Sequence, residues 1–376
     1  MPDLRIEAAP LPARTAEFVD LRARLYAGEP RFVLPLRSEE MRLLDTRKNP
    51  FFRRAEIHAF LLRGPDGRAA GRVAAIVNRA HDAFHGERAG FFGFFEIASE
   101  ARAAAPLLLG AAEGALRERG AEFSRGPVNP STNHDCGLLV EGFESPPAVM
   151  MPYNPPFYSD AIEGAGYSKA EDLLAWTLKE EESRFERVEK VARRALGSRS
   201  LDLRTLDPRR FDSELEIVRS IYNEAWSENF GFVPMEEDEF AFSARSLRKV
   251  LVRDLALIAE VDGSPAGFAL ALPDLNQALP KLKGRLYPWR IPGFLRALKR
   301  IRSVRVLMLG VRREYRHRGL DAILYAEIYR RGVGKGYREG EFSWVLERNK
   351  AMNEALEKIG ARVGKRYRIY EKPLSR

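Results

Sequence analysis

Nearly every position from Val304 to Val311 is apolar, and the run ends in a cluster of charges, Arg312-Arg-Glu-Tyr-Arg-His-Arg318, closed by Gly319. Apolar residues return at Leu320, Ile323, Leu324 and Ile328, the spacing of one helical face. The pattern predicts a buried strand, a basic turn and an amphipathic helix. The same order of patterns occurs earlier in the chain. Glu56 to Leu62 and Ala70 to Asn78 predict strands about the turn Gly64-Pro-Asp-Gly67, as Leu255 to Val261 and Ala266 to Leu272 do about Asp262-Gly263. Each hairpin precedes an apolar strand (Gly90 to Ile97; Val304 to Val311), a helix (Ala101 to Arg119; Leu320 to Arg331) and a strand containing Glu-Phe-Ser. The second half adds a helix capped by Asn349 and closed by Gly360, then a strand from Arg366 to Tyr370. Strands interleaved with helices predict an α/β protein with a mixed sheet, built twice over.

A strand that turns through glycine into a helix leaves backbone N–H groups without partners at the positive end of the helix dipole. That arrangement cradles anions, and Arg316 and Arg318 add charge suited to phosphate. At these residues the chain resembles the Gcn5-related N-acetyltransferase (GNAT) superfamily, whose pyrophosphate loop reads Arg/Gln-x-x-Gly-x-Gly/Ala; here it is Arg316-His317-Arg318-Gly319-Leu320-Asp321. The resemblance implies two tandem acetyltransferase-like domains. Residues 1–178 lack the loop and would bind the acceptor, 179–199 form a helical connector, and 200–376 hold the acyl-CoA site with a basic insertion at 277–303. It implies acyl-CoA as co-substrate, bound by Val311, Arg316, His317, Arg318, Gly319, Leu320, Asp321 and Asn349, and no metal. Asp321 departs from the small residue of the pattern. Leu356 stands where the superfamily often has a tyrosine that protonates the departing thiolate. The matching junction of the first half, Phe94 to Glu100, has neither glycine nor arginine, so no nucleotide is expected there.

The chain is also similar to a bacterial tandem group related to ceramide synthases. The stretches that carry this are Gly126-Pro-Val-Asn-Pro-Ser-Thr-Asn133, Met151-Pro-Tyr-Asn-Pro-Pro-Phe-Tyr158 and Tyr367-Arg-Ile-Tyr-Glu-Lys-Pro373. The similarity implies an acyl-CoA-dependent N-acyltransferase that joins an acyl group to a hydrophobic long-chain amine such as a sphingoid base. The alternative is a non-catalytic acyl-CoA or lipid-binding protein.

An amine can attack a thioester directly, so the protein needs to position, polarise and remove a proton. Glu347, just after a predicted strand, is the candidate base, and Glu96 is its counterpart in the first half. The Pro- and Asn-rich loop from Gly126 to Tyr158 reads as an acceptor-binding wall, with Asn129, Asn133, Tyr153, Asn154 and Tyr158 as contacts, or else as a rigid structural loop. His134-Asp135-Cys136 are neighbours that cannot converge as a nucleophile triad. His81-x-x-x-His85 lacks a third ligand motif and reads as a surface pair.

Net charge is +9, but Lys281 to Arg318 alone contains 13 Lys/Arg against one acid, Glu314. Within it Leu282, Leu286, Trp289, Ile291, Phe294, Leu295, Leu298 and Ile301 alternate with bases, the composition of an interfacial membrane segment or of a lid helix. A single cysteine excludes an intramolecular disulfide and a multi-cysteine zinc cage. No apolar run approaches the ~20 residues that span a bilayer, and the first residues carry no signal-peptide pattern. A cytoplasmic protein in peripheral contact with an anionic membrane is expected. With no recognised nucleic-acid module, nucleic acid is not an expected partner.

Overall fold

The computed structural model describes residues 4–186, 189–190, 194 and 200–375. The chain forms two compact units: Met1–Leu173 with Ala278–Arg296 and Arg366–Arg376, and Leu174–Gln277 with Ala297–Lys365. Of the connector expected over 179–199, Lys179 closes β9, Glu180–Glu182 form a 3-10 turn, and residues 187–188, 191–193 and 195–199 lie outside the described residues.

In the first unit, β1 (Arg5–Ala8), β2 (Ala55–Arg63), β3 (Ala69–Asn78) and β4 (Ala89–Ile97) pair antiparallel in that order. Strand β5 (Phe123–Gly126) joins β4 in parallel. Next come β6 (Val128–Asn129) and β7 (Asp135–Cys136), paired with each other, then β8 (Leu138–Glu141) and β9 (Ser168–Lys179), which belongs to this unit up to Leu173 and to the second from Leu174. The helices are α1 (Thr15–Leu25), α2 (Arg37–Leu43), α3 (Arg79–His85), α4 (Ala105–Arg117) and α5 (Tyr158–Glu163). Strand β4 is buried along its whole length, which is why it is an unbroken apolar run and not an alternating one. Leu108, Leu109, Ala112 and Leu116 of α4 close over Val73, Ala75 and Phe92.

In the second unit, β10 (Leu201–Thr205), β11 (Ala256–Val261), β12 (Ser264–Pro273) and β13 (Ser303–Val311) again pair antiparallel, and β14 (Glu339–Leu346) joins β13 in parallel. Its helices are α6 (Phe211–Trp226), α7 (Glu237–Leu247), α9 (Leu320–Gly334) and α10 (Lys350–Lys358); α8 (Ile291–Leu298) belongs to the first unit up to Arg296. Leu320, Leu324 and Ile328 of α9 pack with Val304, Val306, Leu356 and Ile359 in one core. The other face of β13 meets α6: a Cβ on Gly310 would lie 2.7 Å from the Trp226 ring, so only glycine fits. The last strand, β15 (Arg362–Pro373), pairs Tyr370–Pro373 with β5 and Arg366–Arg368 with β8, inside the first unit. The duplicated α/β order read from the chain is thus the observed one, twice a mixed sheet with helices.

Both parallel pairs stop early. Strand β4 pairs with β5 only over Ala89–Phe91, and β13 with β14 only over Ser303–Val306. Both longer strands continue, and each carries an irregularity in register, around Phe94 in β4 and at Leu307 in β13. Each unit therefore has a gap where two parallel strands diverge. In the first unit Gly93 faces Val128, so closely that an added Cβ would run into the Val128 carbonyl. We predict that Gly93→Ala lowers stability by about 2 kcal/mol or more through overpacking. Gly114→Ala in α4, where a Cβ meets nothing within 4 Å, should instead stabilise by roughly 0.5–1 kcal/mol. Denaturant unfolding of the two variants checks the pair.

Candidate functional site

The gap in the second unit opens beyond Val306 and Phe342. Leu307, Met308 and Leu309 on its β13 side are half-buried, unlike the matching stretch of β4. Strand β12 takes the hydrogen bonds on one edge of β13, so alternate residues present N–H and C=O groups toward the gap. No side chain among the described residues caps them.

The basic turn follows at once. Glu224 on α6 anchors it, accepting from the Arg313 N–H at 2.7 Å and the Arg312 guanidinium at 2.7 Å. Arg316 donates to the Ala225 carbonyl at 2.8 Å, so this arginine shapes the turn. His317 (φ +60°) and Gly319 (φ +76°) take left-handed backbone, which reverses the chain into α9. Helix α9 has no side-chain cap, so its first N–H groups stay unpaired. Arg318 and the exposed His317 have no hydrogen bond or ion pair among the described residues. The cradle thus offers backbone donors, a dipole and one uncommitted guanidinium. Asp321 is exposed, one turn before Tyr325, and its charge adds to burial in raising the Tyr325 phenol. Val311 is buried at the end of β13. Asn349 caps α10, accepting from the Met352 N–H at 3.2 Å.

Beside the gap lies a buried polar group that sequence reasoning missed. Arg305, 1% exposed, is the register partner of Glu341, and its Nε donates to Ser343 Oγ at 2.9 Å. Ser343 Oγ donates to Glu341 Oε1 at 2.8 Å. Burial raises the Glu341 carboxyl above its ordinary range, against the pull of Arg305. The Trp344 indole packs under the Arg305 guanidinium, and its Nε1 is buried with no acceptor. A charged residue inside an apolar strand was the available signal. Glu347, by contrast, is exposed just past β14. Leu356 is buried in the core, and the Tyr325 hydroxyl lies 3.8 Å from Met352 Sδ on α10.

In the first unit the chain itself fills the gap. Asn129 Oδ1 accepts from the Phe94 N–H at 2.5 Å. Glu96 is fully engaged: it accepts from Tyr26 at 2.7 Å and Tyr158 at 3.1 Å, and pairs with Arg22 at 2.9 Å and Arg72 at 3.7 Å. Burial, with Glu96 adding to it, pushes both phenols well above the usual range, so they remain donors. Asn154 bridges the Leu139 N–H and carbonyl at 2.8 and 3.1 Å. Tyr153 is buried, and Asn133 lies in the turn that Ser131 Oγ supports.

His81 corrects the expectation of a surface pair. It is buried, bonded to Glu87 at 2.7 Å and packed on Phe91, and burial pushes it down to about 4. His134 bonds Ser131 Oγ through Nδ1 at 2.9 Å and is likewise pushed down to about 4 by burial. The described residues contain no metal-like cluster, and no helix among them is long and apolar enough to cross a membrane.

No protein-family model matches the chain. It is 37% identical to the "Bacterial ceramide synthase" of Caulobacter vibrioides, over 99% of this chain and 98% of that one. It is 35% identical to "Protein YghO" of Escherichia coli, over 95% and 92%. Among solved structures, a tandem GNAT protein from the clavulanic acid biosynthesis pathway aligns over 100% and 99% of the two chains with a TM-score of 0.58 at 14% identity. A GCN5-related N-acetyltransferase of Sphaerobacter thermophilus aligns over 100% and 98% with a TM-score of 0.53 at 17% identity. The fold is therefore the GNAT fold, in tandem.

If the cradle holds a pyrophosphate, Arg318→Ala should weaken CoA binding about tenfold, the loss of one charge-assisted hydrogen bond. Gly319→Asp should weaken it more, because a carboxylate then enters the anion site. Calorimetry with CoA reads both; unchanged affinity in both variants would remove the cradle from this loop.

Proposed function

The chain belongs to the family that includes the bacterial ceramide synthase of Caulobacter vibrioides, and on that premise we propose that it is an acyl-CoA-dependent N-acyltransferase for a hydrophobic long-chain amine. The observation that carries the reading is the open strand gap running into an uncapped helix start with an unpaired arginine. These fit the donor: Arg318 and the N–H groups that open α9 would hold the pyrophosphate, with Arg316 and His317 shaping the turn. The unpaired edge of Leu307–Val311 would take the donor's amides as an added strand and give an N–H to the thioester carbonyl.

The reaction forms a C–N bond as the C–S bond breaks, and the amine gives up a proton. We assign that proton to Glu347 at the end of β14. Glu341, whose carboxyl is raised by burial, is the second acceptor within the same strand. The Gly126–Tyr158 loop is the acceptor wall in this reading, and Asn129, Asn133, Tyr153, Asn154 and Tyr158 act by fixing its form. A non-catalytic acyl-CoA binder is the competing reading, favoured by Leu356, which offers no proton to a thiolate.

Release of free CoA thiol separates the two. A long-chain acyl-CoA with a sphingoid amine should release thiol in step with amide formation, and a polyamine should not. Binding without thiol release would favour the non-catalytic reading. Glu347→Gln should lower kcat by about 10²-fold or more with acyl-CoA affinity intact. If instead Glu341→Gln abolishes turnover, and the acid limb of the wild-type pH profile lies above the usual carboxylate range, the base is Glu341.

A further inference from the structure

Eight large apolar side chains are exposed among the described residues, and four of them fall within ten positions: Leu286 (55%), Trp289 (72%), Ile291 (38%) and Leu295 (52%). They sit on a segment whose root is firm. Ala278 and Leu282 are fully buried, and the Gly284 carbonyl accepts from the Arg37 N–H at 2.9 Å. A Cβ on Gly284 would lie 2.7 Å from Leu34, so the segment is seated closely on the first unit. Beyond this root the cover is partial: α8 has no fully buried residue, and Phe294 and Leu298 are half-buried while Ile291 and Leu295 are exposed. Trp289 is nonetheless held in place, stacked on Tyr287 at 4.8 Å, with the Arg290 guanidinium over the same tyrosine ring.

The charges are as unusual as the apolar tip. Elsewhere the arginines are mostly paired with carboxylates, as Arg14, Arg63, Arg204 and Arg312 are. Lys281, Lys283, Arg285, Arg290 and Arg296 have no carboxylate partner among the described residues. Arg290 donates to the Leu282 carbonyl, and Arg285 to the Tyr287 hydroxyl. No Asp or Glu occurs between Asp274 and Glu314, so the next cations along the chain, Lys299, Arg300 and Arg302, lack a local acid too.

We propose that Lys281–Arg296 docks the protein on an anionic lipid bilayer, with Leu286, Trp289, Ile291 and Leu295 inserted at the headgroup–acyl boundary and the cations on the lipid phosphates. Indole and aliphatic groups flanked by lysine and arginine suit that boundary, where one side is apolar and the other negatively charged. A nucleic acid would use the cations but leave the aliphatic side chains in water. A second copy of the chain would bring like charges together. This docking needs no acyl-CoA and stands apart from the acyltransferase reading.

The test is flotation of the full chain with vesicles of phosphatidylcholine, alone or mixed with phosphatidylglycerol, and with duplex DNA as competitor. Binding should require phosphatidylglycerol and fall with salt. Leu286→Ser with Trp289→Ser should lower it at least tenfold, with melting temperature and CoA affinity unchanged. Lys283→Glu with Arg285→Glu should do the same, and Trp289→Phe alone should keep most of it. Equal binding to both vesicle types, no binding to either, or displacement by DNA together with binding unaffected by the serine pair would each overturn the proposal.

Discussion

Hydrogen bonds left unmade where two parallel strands part are the constraint on which the rest depends. A backbone N–H or C=O removed from water must find a partner. In the first unit the chain supplies one: Val128 and Asn129 lie against β4, and Asn129 completes the Phe94 N–H. In the second unit the same edge of β13 has no such insert among the described residues, and the strand runs directly into a turn whose helix has no side-chain cap. One fold, used twice, thus yields one closed gap and one open gap. The difference rests on a few residues, since Gly93 and Gly126 admit the plug only because they lack a Cβ.

Beside each gap sits a buried arginine paired across strands with a glutamate, Arg72 with Glu96 and Arg305 with Glu341. Desolvating such charges is costly unless every oxygen and nitrogen finds a partner. The first pair is surrounded by Arg22, Tyr26 and Tyr158 and locks the proline-rich loop to β4. The second joins Arg305 to Glu341 through Ser343, and burial raises its carboxyl; each network holds a buried nitrogen with no hydrogen bond, Arg72 Nε in the first and Trp344 Nε1 beside the second. Buried polar networks of this kind fix the strands they join.

The apolar runs at Val304–Val311 and Gly90–Ile97 and the helical spacing after Gly319 made the repeated strand–helix order legible, because periodicity survives in any tertiary context. The cradle was legible for the same reason, being local. What could not be read were pairings set by distant partners. Asn129 reads as a ligand contact until Phe94 is seen to bond it. His81 reads as exposed until Glu87 and Phe91 enclose it. Residues 366–373 follow the second half in sequence yet pair with β5 and β8, a choice made by register and not by composition.

Hydrogen exchange with and without a long-chain acyl-CoA tests the claim that only one of the two gaps is a binding edge. The amides of Leu307 to Val311 and of Gly319 to Ala322 should exchange more slowly in the presence of the ligand, while those of Gly93 to Ile97 should not change. Protection at Gly93 to Ile97, or none at Leu307 to Val311, would contradict the account.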